Sequence, residues 1–282
     1  MASQGARQNP VVLQPSPAGS ARATVNPIAM KFEQLDRRMR VYETAHDHCV
    51  IPGMHMVARI DGRSFSQLTR ATHKFDAPYD PRFRDHMVAT LQHLMDCGFS
   101  VLYGYTQSDE LSLLLRRDED LFGRKLRKLL SVLAAEASAV FSVRLGAPAA
   151  FDCRISQLPG SQDVVDYFRW RYEDAHRNAI NGHTYWLLRG QGLDEHTATQ
   201  QLKGASVADR NELLFRNGIN FNDLPAWQKR GIGALWECHE SKGTDPRTGS
   251  DVTSSRRRIV VNMELPMGDA YDSFVRSIVE SQ

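Results

Sequence analysis

Two short acidic motifs carry the residues of this sequence that are best suited to chemistry. Asp61 precedes Gly62 at the end of an alternating segment, and Ser108, Asp109 and Glu110 lie together further along the chain. Two carboxylates at one point repel each other and raise each other's pKa unless a cation lies between them. Aspartate oxygens and a backbone carbonyl, such as that of Gly62, are ligands that suit Mg²⁺. If the fold brings the motifs together, they predict a magnesium site.

The segments around these motifs predict a fold that does bring them together. Six elements follow one another: strands at 54–62, 99–106, 110–116 and 149–158, and helices at 81–96 and 119–145. The order β-α-β-β-α-β is that of a ferredoxin-like unit, in which the first and third strands are usually neighbours. We therefore expect Asp61 and Asp109 to meet on the open face of the sheet, with a tight turn at 107–109. Two Mg²⁺ ions about 4 Å apart at such a point support phosphoryl transfer.

Composition excludes several classes of protein. Of the 282 residues, 41% are hydrophobic and 24% are charged, and the net charge is only +2. No apolar run reaches the length of about 18 residues that a membrane helix needs. The four cysteines include no C-x-x-C pair, which argues against a disulfide framework or a cysteine zinc site. A reducing cytoplasm is the predicted compartment, and any attraction to nucleic acid must come from local basic clusters.

Changes in composition and residue pattern divide the chain into three parts. Residues 1–29 hold four prolines and no acidic residue, which predicts a disordered extension. Residues 30–158 hold the unit described above. Residues 159–282 are predicted to be mainly helical, with helices at 161–189, 194–203 and 206–217 and a late β-hairpin of strands 231–239 and 258–265 around a polar loop, 240–257. The predicted fold class is α+β: a ferredoxin-like βαββαβ sheet with helices on one face, followed by this helical region.

The same motifs resemble a known family. The segments are RIDGRSF (59–65), YTQSDELSLL (105–114), FDCR (151–154), ADRNELLF (208–215) and NDLPAWQKRG (222–231). In this order they are similar to the tRNA(His) guanylyltransferase family and its tRNA-repair relatives, which extend RNA in the 3′-to-5′ direction. The resemblance implies a polymerase-like palm, in agreement with the element order. It also implies a reaction in which ATP adenylylates a 5′-phosphate and the 3′-hydroxyl of an incoming nucleoside triphosphate then attacks it.

The resemblance assigns roles to particular residues. It implies that Asp61, the Gly62 carbonyl and Asp109 bind two Mg²⁺ ions, with Glu110 as a supporting catalytic acid. The residues implied to hold ATP, GTP or another nucleotide are Gly62, Arg63, Ser64, Phe65, Phe75, Asp80 and Ser108. Those implied to contact tRNA or assist its activation are Lys125, Lys128, His176, Asn178 and Arg210. Ser66 and Ala77 stand where the family usually has His and Lys, so two donors of the triphosphate site are absent.

One segment bears on the choice of substrate. The guanylyltransferases proper carry H-I-N-[N/E] after the palm, whereas this chain has His176, Arg177, Asn178 and Ala179. This difference favours template-dependent repair of tRNA 5′ ends, with dedicated addition of G to tRNA(His) as the alternative. The expected partners are tRNA and nucleoside triphosphates, with no membrane. By analogy with the family we expect a homotetramer.

Other features allow both a functional and a structural interpretation. Four cations within residues 124–128 open a predicted helix, where they oppose its macrodipole, so we expect them to contact phosphates. In the next long helix Phe168 and Tyr172 are expected in the core, and Trp170 and Arg171 at an interface. Two rivals remain. A nucleotide cyclase also has a palm with two metal-binding aspartates, and a non-catalytic tRNA-binding protein needs no metal.

Overall fold

The structure is a computed structural model that describes residues 31–244, residue 247 and residues 250–281. The extension predicted to be disordered, 1–29, lies outside the described residues. The chain forms two compact units, 1–46 and 47–282. In the first unit, helix α1 (Phe32–Thr44) is described, and Arg40 forms an ion pair with Asp36 one turn away at 2.8 Å. All further elements below belong to the second unit.

The second unit is built on one antiparallel sheet. Within the described residues its strands are β1 (His55–Gly62), β2 (Val101–Gln107), β3 (Glu110–Leu115), β4 (Phe151–Leu158), β5 (Ile232–Thr244) and β6 (Asp251–Asn262). Their order across the sheet is β4-β1-β3-β2-β5-β6. The predicted neighbours β1 and β3 do pair, so the βαββαβ arrangement expected from the sequence is present.

The helices connect and cover these strands. They are α2 (Phe65–Gln67), α3 (Pro81–Asp96), α4 (Leu126–Leu145), α5 (Ser161–Gly190), α6 (Glu195–Leu202), α7 (Val207–Arg216), α8 (Ala226–Arg230) and α9 (Asp269–Glu280). Helix α3 begins where Asp80 caps its first turn by accepting a hydrogen bond from the Arg82 amide at 2.7 Å. Helix α5 begins after Gly160, whose amide donates to Asp163 at 2.9 Å. Helices α2, α8 and α9 were not predicted from the sequence.

Helices cover both faces of the sheet. Side chains of β1 alternate: Met56, Ala58 and Ile60 pack in one cluster with α3 and α4, whereas Val57 packs in another with α5 and α9. The α+β class is confirmed, and α3 and α4 do share one face. The other face is not open as expected, because α5 and α9 lie across it. Arg59 and Asp61 share this covered face of β1 with Val57.

The late hairpin is longer than predicted and belongs to the palm sheet. β5 pairs with β2, and β5 and β6 remain paired from Gly233 opposite Asn262 to Thr244 opposite Asp251. The polar loop predicted at 240–257 is therefore wrong, because most of that segment is strand. An ion pair of 2.7 Å between Arg258 and Glu237 links the two strands. The domain boundary predicted at residues 158–159 stays a prediction.

Arg124, the first residue of the basic cluster at 124–128, has a structural role that the sequence did not reveal. Helix α4 begins at Leu126, later than predicted, after a short 3₁₀ turn. Arg124 is only 8% exposed. Its guanidinium donates to five carbonyl oxygens at 2.8–3.3 Å, those of Val50, Ile51, Met54, Arg117 and Glu119. For Arg124 the expected phosphate contact is therefore wrong, since it ties two loops to the start of α4.

Among the residues that the structure describes, no helix has both the length and the apolar character that crossing a bilayer requires.

Candidate active site

The two acidic motifs meet where β1 ends beside the β2–β3 hairpin. Asp61 lies directly opposite Glu110 in the register of β1 and β3. One residue further on, the Gly62 amide donates to the Asp109 carbonyl at 3.0 Å. Ser108 and Asp109 form a two-residue turn, in which Ser108 has a left-handed φ of 49°. The short turn and the strand register thus place Asp61 and Asp109 on adjoining backbone.

The carboxylate of Asp109 is in an unfavourable electrostatic environment. Burial raises its pKa above the ordinary value, and the nearby charge of Asp61 raises it further. A hydrogen bond of 2.9 Å from the Ser108 hydroxyl opposes this shift. Arg59 and Arg154 approach Asp61 through its Oδ2 atom, at 3.5 and 3.7 Å. A cation bound by Asp61 and Asp109 would lower the electrostatic cost of their two nearby charges.

Glu110 is buried and paired with two arginines. Its Oε2 atom lies 2.7 Å from Arg59 and 3.0 Å from Arg171. Burial raises the pKa of Glu110, while Arg171 and Arg59 act in the opposite direction. The expectation that Arg171 lies at an interface is wrong, because its side chain is 3% exposed and faces Glu110. The catalytic role expected for Glu110 stays a prediction, and its visible role is to hold these arginines.

The segment after Asp61 is shaped by a close contact with an aromatic ring. A side-chain Cβ at Gly62 would lie only 2.5 Å from the ring of Phe65, so glycine is needed here for packing. Ser64 has a left-handed φ of 60° at the start of α2. The Arg63 amide donates to the Ala150 carbonyl at 2.8 Å. This amide is therefore occupied within the protein, and the nucleotide-binding role expected for Arg63, Ser64 and Phe65 stays a prediction.

A pocket of about 150 Å³ opens beside the Asp109 carboxylate. Predicted nucleotide-binding residues are among those that line it: Phe65, Phe75, Asp80 and Ser108. The carboxylate of Asp80 is occupied within the protein, because it caps α3 and accepts from the Asp76 amide at 2.8 Å and from Arg82. These bonds hold the pKa of Asp80 at about 2. Its visible role is to shape the pocket wall.

The opposite wall of the pocket was not predicted. Trp186 from α5 and Trp227 from α8 line it together with Gln228. Arg70 stacks over Trp186 and Arg84 over Trp227, with 5.3 and 4.9 Å from the guanidinium carbon to the ring centroid. Only packing of α5 and α8 against the palm brings them there, and no spacing in the sequence signals it. The pocket thus combines aromatic faces, cations and the Asp109 carboxylate.

The residues expected to contact tRNA do not line this pocket. Lys125 pairs with Asp47 at 3.1 Å, and Lys128 lies 5.9 Å from the centroid of the Phe122 ring. The other contacts are those of His176 with the Phe221 ring edge, Asn178 with Asp174, and Arg210 with Asn181. Burial lowers the pKa of His176, and the nearby Lys229 and Arg230 lower it further. The tRNA role of these residues stays a prediction.

The donor set at the hairpin fits Mg²⁺ better than a transition metal. Within the residues described, no group of three or more His, Cys, Asp or Glu side chains is arranged to hold a metal. Asp61, Asp109 and the Gly62 carbonyl supply oxygen ligands alone. Mg²⁺ is often bound by one or two carboxylates, with water and substrate phosphates completing its shell. The residues present therefore fit this ion.

A palm sheet with Asp61 and Asp109 on adjoining backbone, beside an aromatic pocket, is typical of enzymes that act on nucleotides. The family model described as tRNAHis guanylyltransferase matches residues 36–159, and the model of that family's C-terminal domain matches residues 162–265. The "Probable tRNA(His) guanylyltransferase" of Mus musculus is 32% identical over 261 residues, which are 86% of this chain and 85% of the mouse protein. The chain belongs to the tRNA(His) guanylyltransferase family.

Solved structures agree with this assignment. A bacterial tRNA(His) guanylyltransferase-like protein in complex with GTP has a TM-score of 0.68 and 28% sequence identity, over 87% of this chain and 98% of that protein. A bacterial tRNA(His) guanylyltransferase-like protein in complex with ATP has the same TM-score and sequence identity, over 87% of this chain and 99% of that protein. The family resemblance, the palm fold and the assignment as a nucleotidyltransferase are therefore confirmed.

Proposed function

We propose that this protein is a Mg²⁺-dependent enzyme that adds nucleotides in the 3′-to-5′ direction to the 5′ end of tRNA. The observation that carries the proposal is that Asp61, opposite Glu110 in the register of β1 and β3, adjoins Asp109, which lines the aromatic pocket. The relatives that bind GTP and ATP support nucleoside triphosphates as substrates. The 5′-phosphate of the tRNA attacks the α-phosphate of ATP and releases pyrophosphate, and the 3′-hydroxyl of the incoming nucleotide then attacks the activated 5′-phosphate and displaces AMP.

Each part of the site has a task in this reaction. Asp61, Asp109 and the Gly62 carbonyl would hold Mg²⁺, which supplies charge neutralisation for the phosphates and lowers the pKa of an attacking oxygen. Phe75 and Trp227 give the pocket flat apolar surfaces for a base, and the adjoining Arg70 and Arg84 add positive charge that favours the triphosphate. The nucleophile is a hydroxyl of the substrate, so the protein needs no serine or cysteine for this role.

Repair of truncated tRNA 5′ ends is the substrate choice that we favour. Ala179 is fully buried in an apolar cluster with Ile180, Leu214 and Phe221. Dedicated guanylyltransferases carry a polar Asn or Glu at this place in their motif, whereas Ala179 packs among apolar side chains. Dedicated addition of G to tRNA(His) remains the second candidate, because the curated relatives carry that name.

The test supplies 5′-monophosphorylated tRNAs that lack one or two 5′ nucleotides, and intact tRNA(His), with each nucleoside triphosphate in turn. Sequencing of the 5′ ends then distinguishes the candidates. Restoration of the missing paired bases supports repair, whereas a single unpaired G on tRNA(His) alone identifies a dedicated guanylyltransferase. A cyclic nucleotide formed from ATP or GTP without RNA would show a cyclase instead.

A double variant decides between catalysis and mere RNA binding. Asp61→Ala with Asp109→Ala should abolish nucleotide addition and leave tRNA binding largely intact, because the carboxylates bind cations rather than RNA. Full activity of the double variant would contradict the proposal. The homotetramer and the cytoplasmic location stay predictions. Light scattering of the purified chain tests the tetramer.

A further inference from the structure

Arg171 connects helix α5 to the acidic end of the palm. Its Nη1 atom lies 3.3 Å from Oε1 and 3.0 Å from Oε2 of Glu110, and 3.5 Å from the Asp174 carboxylate. Glu110 in turn lies 2.7 Å from Arg59, and the same Nη2 atom of Arg59 is 3.5 Å from Asp61. A continuous chain of charged contacts thus runs from α5 through the hairpin to Asp61.

Arg171 has more contacts with its surroundings than an arginine in a surface ion pair. Its guanidinium carbon lies 3.6 Å from the centroid of the Trp170 ring, which covers the charge from the solvent side. Its backbone carbonyl accepts a hydrogen bond of 3.4 Å from the buried Tyr105 hydroxyl on β2. Arg171 and Glu110 are both more than nine-tenths buried, so their interaction is weakly screened by solvent.

The consequence concerns the orientation of Asp61. If Arg171 is removed, Arg59 is the remaining close cation of a buried glutamate, and its 2.7 Å ion pair with Glu110 strengthens at the expense of its 3.5 Å contact with Asp61. The Asp61 oxygen that Arg59 steadies then loses this contact. Partners behind metal ligands commonly set ligand orientation, and their loss costs about 10- to 100-fold in metal affinity.

We propose that Arg171 is a positioning residue that acts through Glu110 and Arg59 to orient the Asp61 carboxylate for a divalent cation. Helix α5 therefore contributes to the cation affinity of the palm. This inference rests on the proposed function, because it requires Asp61 to bind the cation.

The experiment measures Mn²⁺ binding to the full-length protein by electron paramagnetic resonance, without RNA or nucleotide. Arg171→Met should weaken Mn²⁺ binding by about 10-fold. Arg171→Lys keeps the charge but not the forked guanidinium, so it should weaken binding by about threefold. Arg169→Lys is the matched control, since Arg169 lies on the same helix but pairs with Asp272 of α9 at 2.9 Å. Mn²⁺ binding to the control should equal that of the wild type.

A double variant separates positioning from a general structural role. Because Arg171 acts through Glu110, Glu110→Gln combined with Arg171→Met should bind Mn²⁺ about as weakly as the weaker single variant, with no further loss. Multiplied losses, or wild-type binding by a folded Arg171→Met protein, would overturn the inference. If Arg171→Met does not fold, Arg171→Lys and Glu110→Gln decide in the same way: wild-type binding by both overturns it.

A further variant distinguishes this inference from the proposed function. Asp61→Asn should lose Mn²⁺ binding if the proposed site is correct. Unchanged binding in Asp61→Asn refutes the metal site itself. Loss in Asp61→Asn with unchanged binding in Arg171→Met refutes the role of Arg171 alone.

Discussion

Replacing Asp109 by Asn should stabilise the metal-free protein while it destroys the site. The carboxylate accepts a hydrogen bond from the Ser108 hydroxyl at 2.9 Å and lies near the charge of Asp61. Asparagine keeps an acceptor oxygen for the Ser108 hydroxyl and removes the charge. Relief of a partly buried, incompletely paired carboxylate is worth about 1–2 kcal/mol. In EDTA at pH 7, urea unfolding should therefore show Asp109→Asn to be more stable than the wild type by about this amount.

The stabilising effect of Asp109→Asn should depend on pH. The pKa of Asp109 in the folded protein lies above the ordinary value of 3.8, so ionisation of Asp109 destabilises the fold as the pH rises above that value. The stability difference between Asp109→Asn and wild type should shrink towards zero as pH falls below about 4, where both states are protonated. Excess Mg²⁺ at pH 7 should reduce or reverse this stability difference, because the ion stabilises the wild type alone. A variant less stable than the wild type in EDTA would refute the reasoning.

Three further changes test separate parts of the structure by urea unfolding. Arg124→Met should lower the free energy of unfolding by about 2–4 kcal/mol, because five carbonyls lose a buried donor. Arg116→Met, which removes an exposed ion pair with Asp118, should change it by less than about 0.5 kcal/mol. Equal effects of the two variants would contradict the burial argument. Gly62→Ala should cost about 1–3 kcal/mol through its clash with Phe65, and a neutral effect would count against that contact. The pKa of Asp80 is about 2, so Asp80→Asn should lack the stability that the wild type loses as pH falls from about 4 to about 2; identical pH profiles would disprove this.

The sequence was sufficient to predict the palm and its acidic hairpin because both depend on local signals. The alternation of β1 and the short turn at Ser108 and Asp109 are visible in the residue order, and the known pairing of the first and third strands then brings Asp61 to the turn. The helix boundaries of α3 and α5 followed from Pro81 and Ser161 in the same way.

The rest of the site depends on contacts between distant segments. Arg171 and Glu110 are 61 residues apart, and only the packing of α5 across the sheet makes them partners. The same holds for Trp186 and Trp227 in the pocket wall. Arginine is usually a surface residue, but Arg124 is buried because carbonyls of distant loops converge on its guanidinium. Such pairings leave no periodicity in the sequence.

The most direct test of the account is a crystal structure of the full-length protein with Mn²⁺, measured at the manganese absorption edge. The account predicts an anomalous peak in contact with the Asp61 carboxylate, the Gly62 carbonyl and the Asp109 carboxylate together. Occupied manganese at another place, or aspartate side chains that diverge and share no ion, would contradict it.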